Sequence, residues 1–194
     1  MPKTKQFDET EVLIRARELF CKKGYNGTSM DDLVQATGIS RSSIYDTFGD
    51  KHGLFLKSLD QYRNEQQCTM EQQTAKSDSP KKKIRAIFEY FINDILADKD
   101  GKGCLLINVS LELGSVDNEV ATIFHANMDD MEQLLASLIK EGQAKGEIPK
   151  KFTPKAMARH FYNSLMGLRV TGTNKPDGEL LREIVKLTLS ILDE

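Results

Sequence analysis

The sequence has no long apolar run. Its most hydrophobic stretch, "CLLINVSLEL", is interrupted by Asn, Ser and Glu, so no segment reaches the roughly 20 apolar residues of a membrane-spanning helix. The N-terminal "MPKTKQFDETE" lacks an apolar core and a small-residue cleavage site. No signal peptide is therefore expected, and the expected location is the cytoplasm. A basic excess is missing too. With 27 Lys and Arg against 29 Asp and Glu, a net charge of −2 and a pI near 6.0, the chain does not read as a general polyanion binder, and any contact with nucleic acid must be local. Cys21, Cys68 and Cys104 are odd in number, far apart and without a Cys-x-x-Cys pair. That pattern speaks against a disulfide framework or a zinc knuckle, and the cysteines read as small buried hydrophobes. His52, His125 and His160 are isolated, so no metal site is expected. No nucleophile–base arrangement, phosphate-cradling loop or paired carboxylates point to catalysis, and neither an enzyme nor a cofactor is expected.

What is present is helical periodicity, almost throughout and with no convincing β alternation. The expected class is all-α. In "DETEVLIRARELFCKKG", Val12, Ala16, Leu19 and Phe20 share one face, with acids early, lysines late and Gly24 as the stop. A later helix carries Leu54, Phe55, Leu59 and Tyr62. The polar stretch before Pro80 is the best boundary, placing one domain at 1–66 and a second at 67–194. Ser79 caps and Pro80 opens the next helix; its "PKKK" reads as a solvated face. "CLLINVSLELG" reads as a short apolar helix whose polar Asn108, Ser110 and Glu112 suggest a cavity or interface. A long amphipathic helix follows Asp117, another starts at Thr153–Pro154, and the last carries two apolar rows, Leu180, Ile184, Leu187 and Ile191 beside Leu181, Val185 and Leu192. These last two helices look apolar over broad faces, which suits a four-helix interface between two copies; coverage by the chain's own helices is the alternative.

The stretch "TSMDDLVQATGISRSSIYDTFGDK" is the most informative. Thr28 or Ser29 can cap a short helix, with Asp31 or Asp32 completing a capping box. Gly38 stands where a left-handed residue must end that helix, and Ser40 caps the next one. Two helices joined so tightly form a helix-turn-helix, whose second helix can enter a DNA major groove. With Ile44 and Phe48 inward, Ser42, Ser43 and Asp46 point out and Arg41, Tyr45 and Thr47 flank them. A purely structural short helix would look similar.

Helix one followed by "GYNGTSMDDLVQATGISRSSIYDTFGDKHGLF" resembles the DNA-binding domain of the TetR family of one-component bacterial transcription regulators. The likeness rests on the Gly-aromatic before the Thr, the Gly-Ile-Ser turn, the Ile-Tyr pair, Phe48, and Lys51 before a Leu-Phe; the rest of the chain agrees only in architecture. The resemblance implies an N-terminal three-helix domain that binds operator DNA and a C-terminal helical domain that binds a ligand and dimerises. Thr28 and Ser29 would then meet a phosphate at a helix N-terminus. Arg41, Ser42 and Ser43 would face base edges, and Tyr45 and Lys51 would hold phosphates. Lys3 and Lys5 could follow the backbone as an arm or form a solvated tail. The family's usual His before the Phe is Thr47 here, which can still donate to a phosphate but carries no charge. Asp46 either accepts from a cytosine amino group or repels DNA.

A homodimeric repressor, released from a palindromic operator by a small hydrophobic or aromatic effector, is the expected function. Candidate pocket residues are Phe88, Phe91, Ile95, Asn108, Met128, Met131, Phe161 and Tyr162, with plain bundle core as the alternative. Cys104 follows "DGKG" at a helix start, where backbone N–H groups and Lys102 would favour a thiolate. "GCLL" also resembles a stretch of TetR-type repressors that sense oxidants or electrophiles through that cysteine, so Cys104 is an alternative sensor. A helical protein-binding adaptor without DNA binding is the reading from another class.

Overall fold

The computed structural model describes residues 7–173 and 176–193. Among them the regular elements are α1 (Glu9–Lys23), α2 (Met30–Thr37), α3 (Arg41–Phe48), α4 (Lys51–Thr74), α5 (Pro80–Ala97), α6 (Leu105–Leu113), α7 (Asn118–Ala144), α8 (Pro154–Gly172) and α9 (Gly178–Leu189), with a 3-10 turn at Ser190–Leu192. The all-α class read from periodicity is the class the chain adopts. Lys3 and Lys5 lie outside the described residues.

Helix ends follow local chemistry. The Asp8 side chain accepts from Thr10 N–H, Glu9 and Glu11 lie in the first turn of α1, and Lys22 and Lys23 lie in its last, so each charge faces the helix-dipole end it complements. Ser79 before Pro80 and Thr153 before Pro154 start α5 and α8 with a hydroxyl cap and a ring that needs no N–H partner. Asp177 caps α9 by accepting from Glu179 and Leu180 N–H.

The chain divides into two compact units. One joins the described residues through Glu65 to Cys104–Phe124; the other joins Gln66–Gly103 to the described residues from His125 onward. The boundary drawn at 66/67 left residues 104–124 with the C-terminal part, whereas these residues complete the core of the first unit. There, Leu105, Leu106, Val109 and Leu113 of α6 and Val120 of α7 join Val12, Ala16, Phe20, Leu33, Ile44, Phe48, Leu54, Phe55 and Leu59. Phe20 and Phe55 meet edge-on at 4.9 Å, and truncating either to Ala should cost about 3–5 kcal/mol.

At about 100° per residue, the four buried residues of α6 occupy one side and Asn108 and Leu111 the other. Both of these are exposed, so Asn108 does not line a buried cavity of its own unit, contrary to expectation. The cysteines need a similar correction. Cys68 is exposed on α4, and Cys21 and Cys104 are only half-buried.

In the second unit α5, α8 and α9 pack together. Phe88 and Phe161 meet edge-on at 5.6 Å within a core that includes Ile84, Ile92, Leu135, Ile139, Leu165, Leu181 and Leu189. The buried Arg169 pairs with Asp94 and lies over the Phe91 ring, its centre 4.7 Å from the ring centroid. The "PKKK" run is not wholly solvated: Lys81 is half-buried and pairs, as does Arg85, with Asp193. These pairs join the start of α5 to the end of the chain.

Candidate nucleic-acid interface

Ser29 and Asp32 form the capping box that the sequence left open between two pairs. Ser29 Oγ accepts from Asp32 N–H at 3.1 Å, and Asp32 Oδ2 accepts from Ser29 N–H at 2.9 Å. The Lys23 ammonium, 2.6 Å from Asp32, together with the Ser29 N–H and hydroxyl, holds the Asp32 carboxyl well below the usual carboxylate range. Gly38 then turns the chain at φ 74°, ψ 10°, its N–H donating to Val34 O at 3.0 Å. This is the left-handed conformation that only glycine enters without a Cβ penalty. Ile39 packs inward, and Ser40 Oγ accepts from Ser43 N–H at 3.1 Å to begin α3.

Ile44 and Phe48 anchor α3 in the core. Its opposite side presents Arg41, Ser42, Tyr45 and Asp46 fully and Ser43 and Thr47 partly, with Tyr45 47% exposed. Ser42 and Ser43 each hold their hydroxyl 2.9 Å from Ser40 Oγ. Arg41 reaches back to Asp31 on α2 at 2.7 Å, so its guanidinium is tethered beside the outer face.

Two predicted residues are placed differently from the other DNA-binding candidates. Thr28 is 1% exposed and donates to Gly24 O at 2.6 Å, so its hydroxyl ties the α1–α2 turn together and is not presented at the surface. The turn folds over it, and a buried hydroxyl must find an acceptor within the fold. Lys51, at the first turn of α4, donates to Tyr25 O at 2.9 Å and Thr28 O at 2.8 Å, and its ammonium lies 4.1 Å from the Tyr25 ring centroid. It braces the same turn from the other side.

The sequence marked Glu112 only as one of the polar residues of α6 that suggest a cavity or interface, and did not assign it to this turn. Glu112, near the end of α6, accepts from Tyr25 N–H and Asn26 N–H. His52 lies 3.6 Å from Asp117 and 3.3 Å from Glu119, although the sequence showed only an isolated His. Spacing rules find groups close together in sequence, and Glu119 follows His52 by 67 residues. Burial first, then the charges of Asp50 and Asp117, raise the Tyr25 phenol above its ordinary pKa.

Known proteins share both parts of this sequence. A family described as "Bacterial regulatory proteins, tetR family" matches residues 12–57, and "Tetracyclin repressor-like, C-terminal domain" matches residues 80–183. The chain belongs to the TetR family. This TetR-family chain is a helix-turn-helix transcriptional regulator. It is 32% identical over 194 residues, 100% of both chains, to the uncharacterized HTH-type transcriptional regulator YezE of Bacillus subtilis. It is 29% identical over 199 aligned positions to the HTH-type transcriptional repressor ComR of Escherichia coli, covering 98% of this chain and 91% of that one. Its fold matches a cysteine mutant of the TetR family regulator CifR complexed with 26bp double-strand operator DNA, with a TM-score of 0.87 at 23% identity over 98% of this chain and 99% of that one. No helix among the described residues is long and apolar enough to cross a membrane.

The effector candidates of this TetR-family chain fall in both units. Phe88, Phe91, Phe161 and Tyr162 are buried in the second unit's core, Ile95 with them, and Met128 and Met131 pack against it. Cys104 and Asn108 belong to the first unit. An open groove of about 370 Å³, beside the start of α8, is lined by other residues: Lys151, Phe152, Ala156, Met157, His160 and Ile191. Cys104 occupies the N-cap position of α6 without making a side-chain cap bond, and its Sγ lies 3.8 Å from the Tyr62 hydroxyl. Lys102 pairs with Asp100 at 3.1 Å.

Proposed function

We propose that this regulator is a repressor that binds a palindromic operator as a homodimer and leaves it when a small hydrophobic or aromatic effector enters the second unit. The observation that carries the reading is the polarity split of α3: Ile44 and Phe48 are buried while Arg41, Ser42, Tyr45 and Asp46 face solvent. An eight-residue helix with an aliphatic-free outer face, joined through the Gly38 turn, suits a major groove.

Arg41, Ser42 and Ser43 read base edges, with Arg41 exchanging Asp31 for a guanine or a phosphate. Ser29, Tyr45 and Thr47 hold phosphates, and the Lys51 ammonium adds positive charge at the turn it braces. Thr28 contributes through its place in that turn. Dimerisation uses the exposed apolar row of α9, where Leu180 is 43% and Leu187 76% exposed, with Val170 of α8 at 62%. Such faces on neighbouring helices suit an isologous four-helix contact. The name of the ComR relative, a repressor, supports repression. The regulator works in the cytoplasm, where its DNA is, and binding rather than catalysis is its activity.

The test is fluorescence anisotropy with duplex DNA from just upstream of the coding region, over a salt series, beside Tyr45→Ala. Tight binding whose log affinity falls with log salt by about 0.9 per neutralised phosphate, and which Tyr45→Ala weakens, is expected. Equal weak binding by both proteins, to this DNA and to random duplex, would favour the adaptor reading. The position of Cys104 at a helix N-terminus supports a second reading, an oxidant or electrophile sensor. If that reading holds, alkylation of Cys104 in the native protein releases DNA; modification without release removes it.

A further inference from the structure

We propose that His52, Asp117 and Glu119 form a binding site for a divalent transition-metal ion of the zinc class, joining the first turn of α4 to the start of α7. All three residues belong to the first unit. Their ligand atoms lie within 4.8 Å of one another, with His52 Nε2 3.3 Å from Glu119 Oε2 and 3.6 Å from Asp117 Oδ2. Two ligands about 2.0–2.1 Å from a tetrahedral zinc ion stand about 3.3 Å apart, so two edges of the cluster already have nearly the required length. The third edge, within 4.8 Å, closes by rotation of the exposed Glu119 carboxylate.

The surroundings hold these groups in place. Asp117 Oδ1 accepts from the N–H groups of Glu119 at 3.0 Å and Val120 at 3.1 Å, which fixes the carboxylate while Oδ2 faces His52. That is the orienting role outer hydrogen bonds play around metal ligands. The Tyr25 ring meets His52 edge-on at 5.9 Å, and Phe55 stands on another side at 6.4 Å. His52 and Asp117 are 30% and 19% exposed, whereas Glu119 is 70% exposed, so one side opens to water for entry and for a fourth ligand.

The ligand set selects the ion. One imidazole and two carboxylates neutralise a divalent charge, and the nitrogen ligand favours zinc, cobalt or nickel over magnesium and calcium, which prefer oxygen alone. The bound ion cross-links residues far apart in sequence, and α4 directly follows the recognition helix. Metal occupancy thus braces the unit that reads DNA.

The experiment titrates the full-length, chelator-treated protein with Co²⁺, reading the visible absorption, and measures Zn²⁺ affinity by competition with a chromophoric chelator. One Co²⁺ per chain is expected, with a nitrogen–oxygen spectrum lacking thiolate charge-transfer bands. His52→Ala and Glu119→Gln should each weaken Zn²⁺ binding by about 10-fold or more, since even outer-shell changes cost about 10- to 100-fold. Because Glu119 is mostly exposed, Glu119→Gln decides the matter if His52→Ala fails to fold. Unchanged affinity in Glu119→Gln, thiolate bands, or no binding by the wild type would overturn the site and leave His52 as a hydrogen-bonding partner of Glu119 with Asp117 nearby.

Discussion

The Glu112 carboxylate accepts the backbone N–H of Tyr25 at 2.9 Å and, through its other oxygen, that of Asn26 at 2.8 Å. A Cβ on Gly24 would lie 2.9 Å from Glu112 Oε2, so glycine at 24 lets the carboxylate come this close as well as adopting φ 72°. The end of α6 therefore clasps the turn that leads into the helix-turn-helix. Replacing Glu112 with Ala leaves two N–H groups without this acceptor. The expected cost is about 1–3 kcal/mol, read as a lower urea midpoint at unchanged slope. A loss within 0.5 kcal/mol would show that water replaces the clasp freely.

Lys51 and Tyr45 should separate stability from recognition. Lys51 donates to two carbonyls of the turn, whereas Tyr45 is 47% exposed on the outer face of α3. Lys51→Met should lower stability by about 1–3 kcal/mol without DNA present, because charged hydrogen bonds are lost. Tyr45→Ala should leave stability within about 0.5 kcal/mol, as exposed substitutions usually do, while weakening operator binding. Thermal unfolding beside anisotropy titration checks both, and a destabilised Tyr45→Ala would contradict the assignment.

Acid should loosen the start of α2. The folded Asp32 carboxyl is held below its unfolded value of about 3.9, chiefly by Lys23 and then by Ser29. Its contribution is therefore fully present above about pH 4 and is lost as pH falls through the folded value. The stability gap between wild type and Asp32→Asn should be flat from about pH 5 to 8 and shrink in acid. A gap that widened in acid would reverse the sign and reject this account.

Leu187, 76% exposed on α9, should report on self-association. Leu187→Glu places a charge on the proposed apolar contact, where an unpaired buried charge is costly. Sedimentation should show a dimer for the wild type and a shift to monomer for the variant, with circular dichroism unchanged. A dimer of equal affinity would move the interface elsewhere.

Much of the DNA-reading half was legible in the sequence because its signals are local. The Ser29 cap, Gly38, the Ser40 cap and the inward pair Ile44 and Phe48 each act within a few residues, and helical periodicity places them. Thr28 was misread for the same reason: its residue type suits a cap, but its burial depends on how the turn closes over it. The polar residues of α6 were visible, yet nothing local distinguishes exposed Asn108 from Glu112, whose partners lie 87 and 86 residues earlier.

The sequence by itself determined the helices, their caps and the outward chemistry of α3, because backbone hydrogen bonds, capping and a repeat of 3.6 residues are all short-range. Only the tertiary structure decided that α6 completes the core around the DNA-reading helices, that Lys51 and Glu112 hold one turn, and that His52 meets Asp117 and Glu119. Those arrangements depend on apolar burial, which is non-directional and can pair any two faces of suitable shape. The polar contacts then follow from where that packing leaves each side chain.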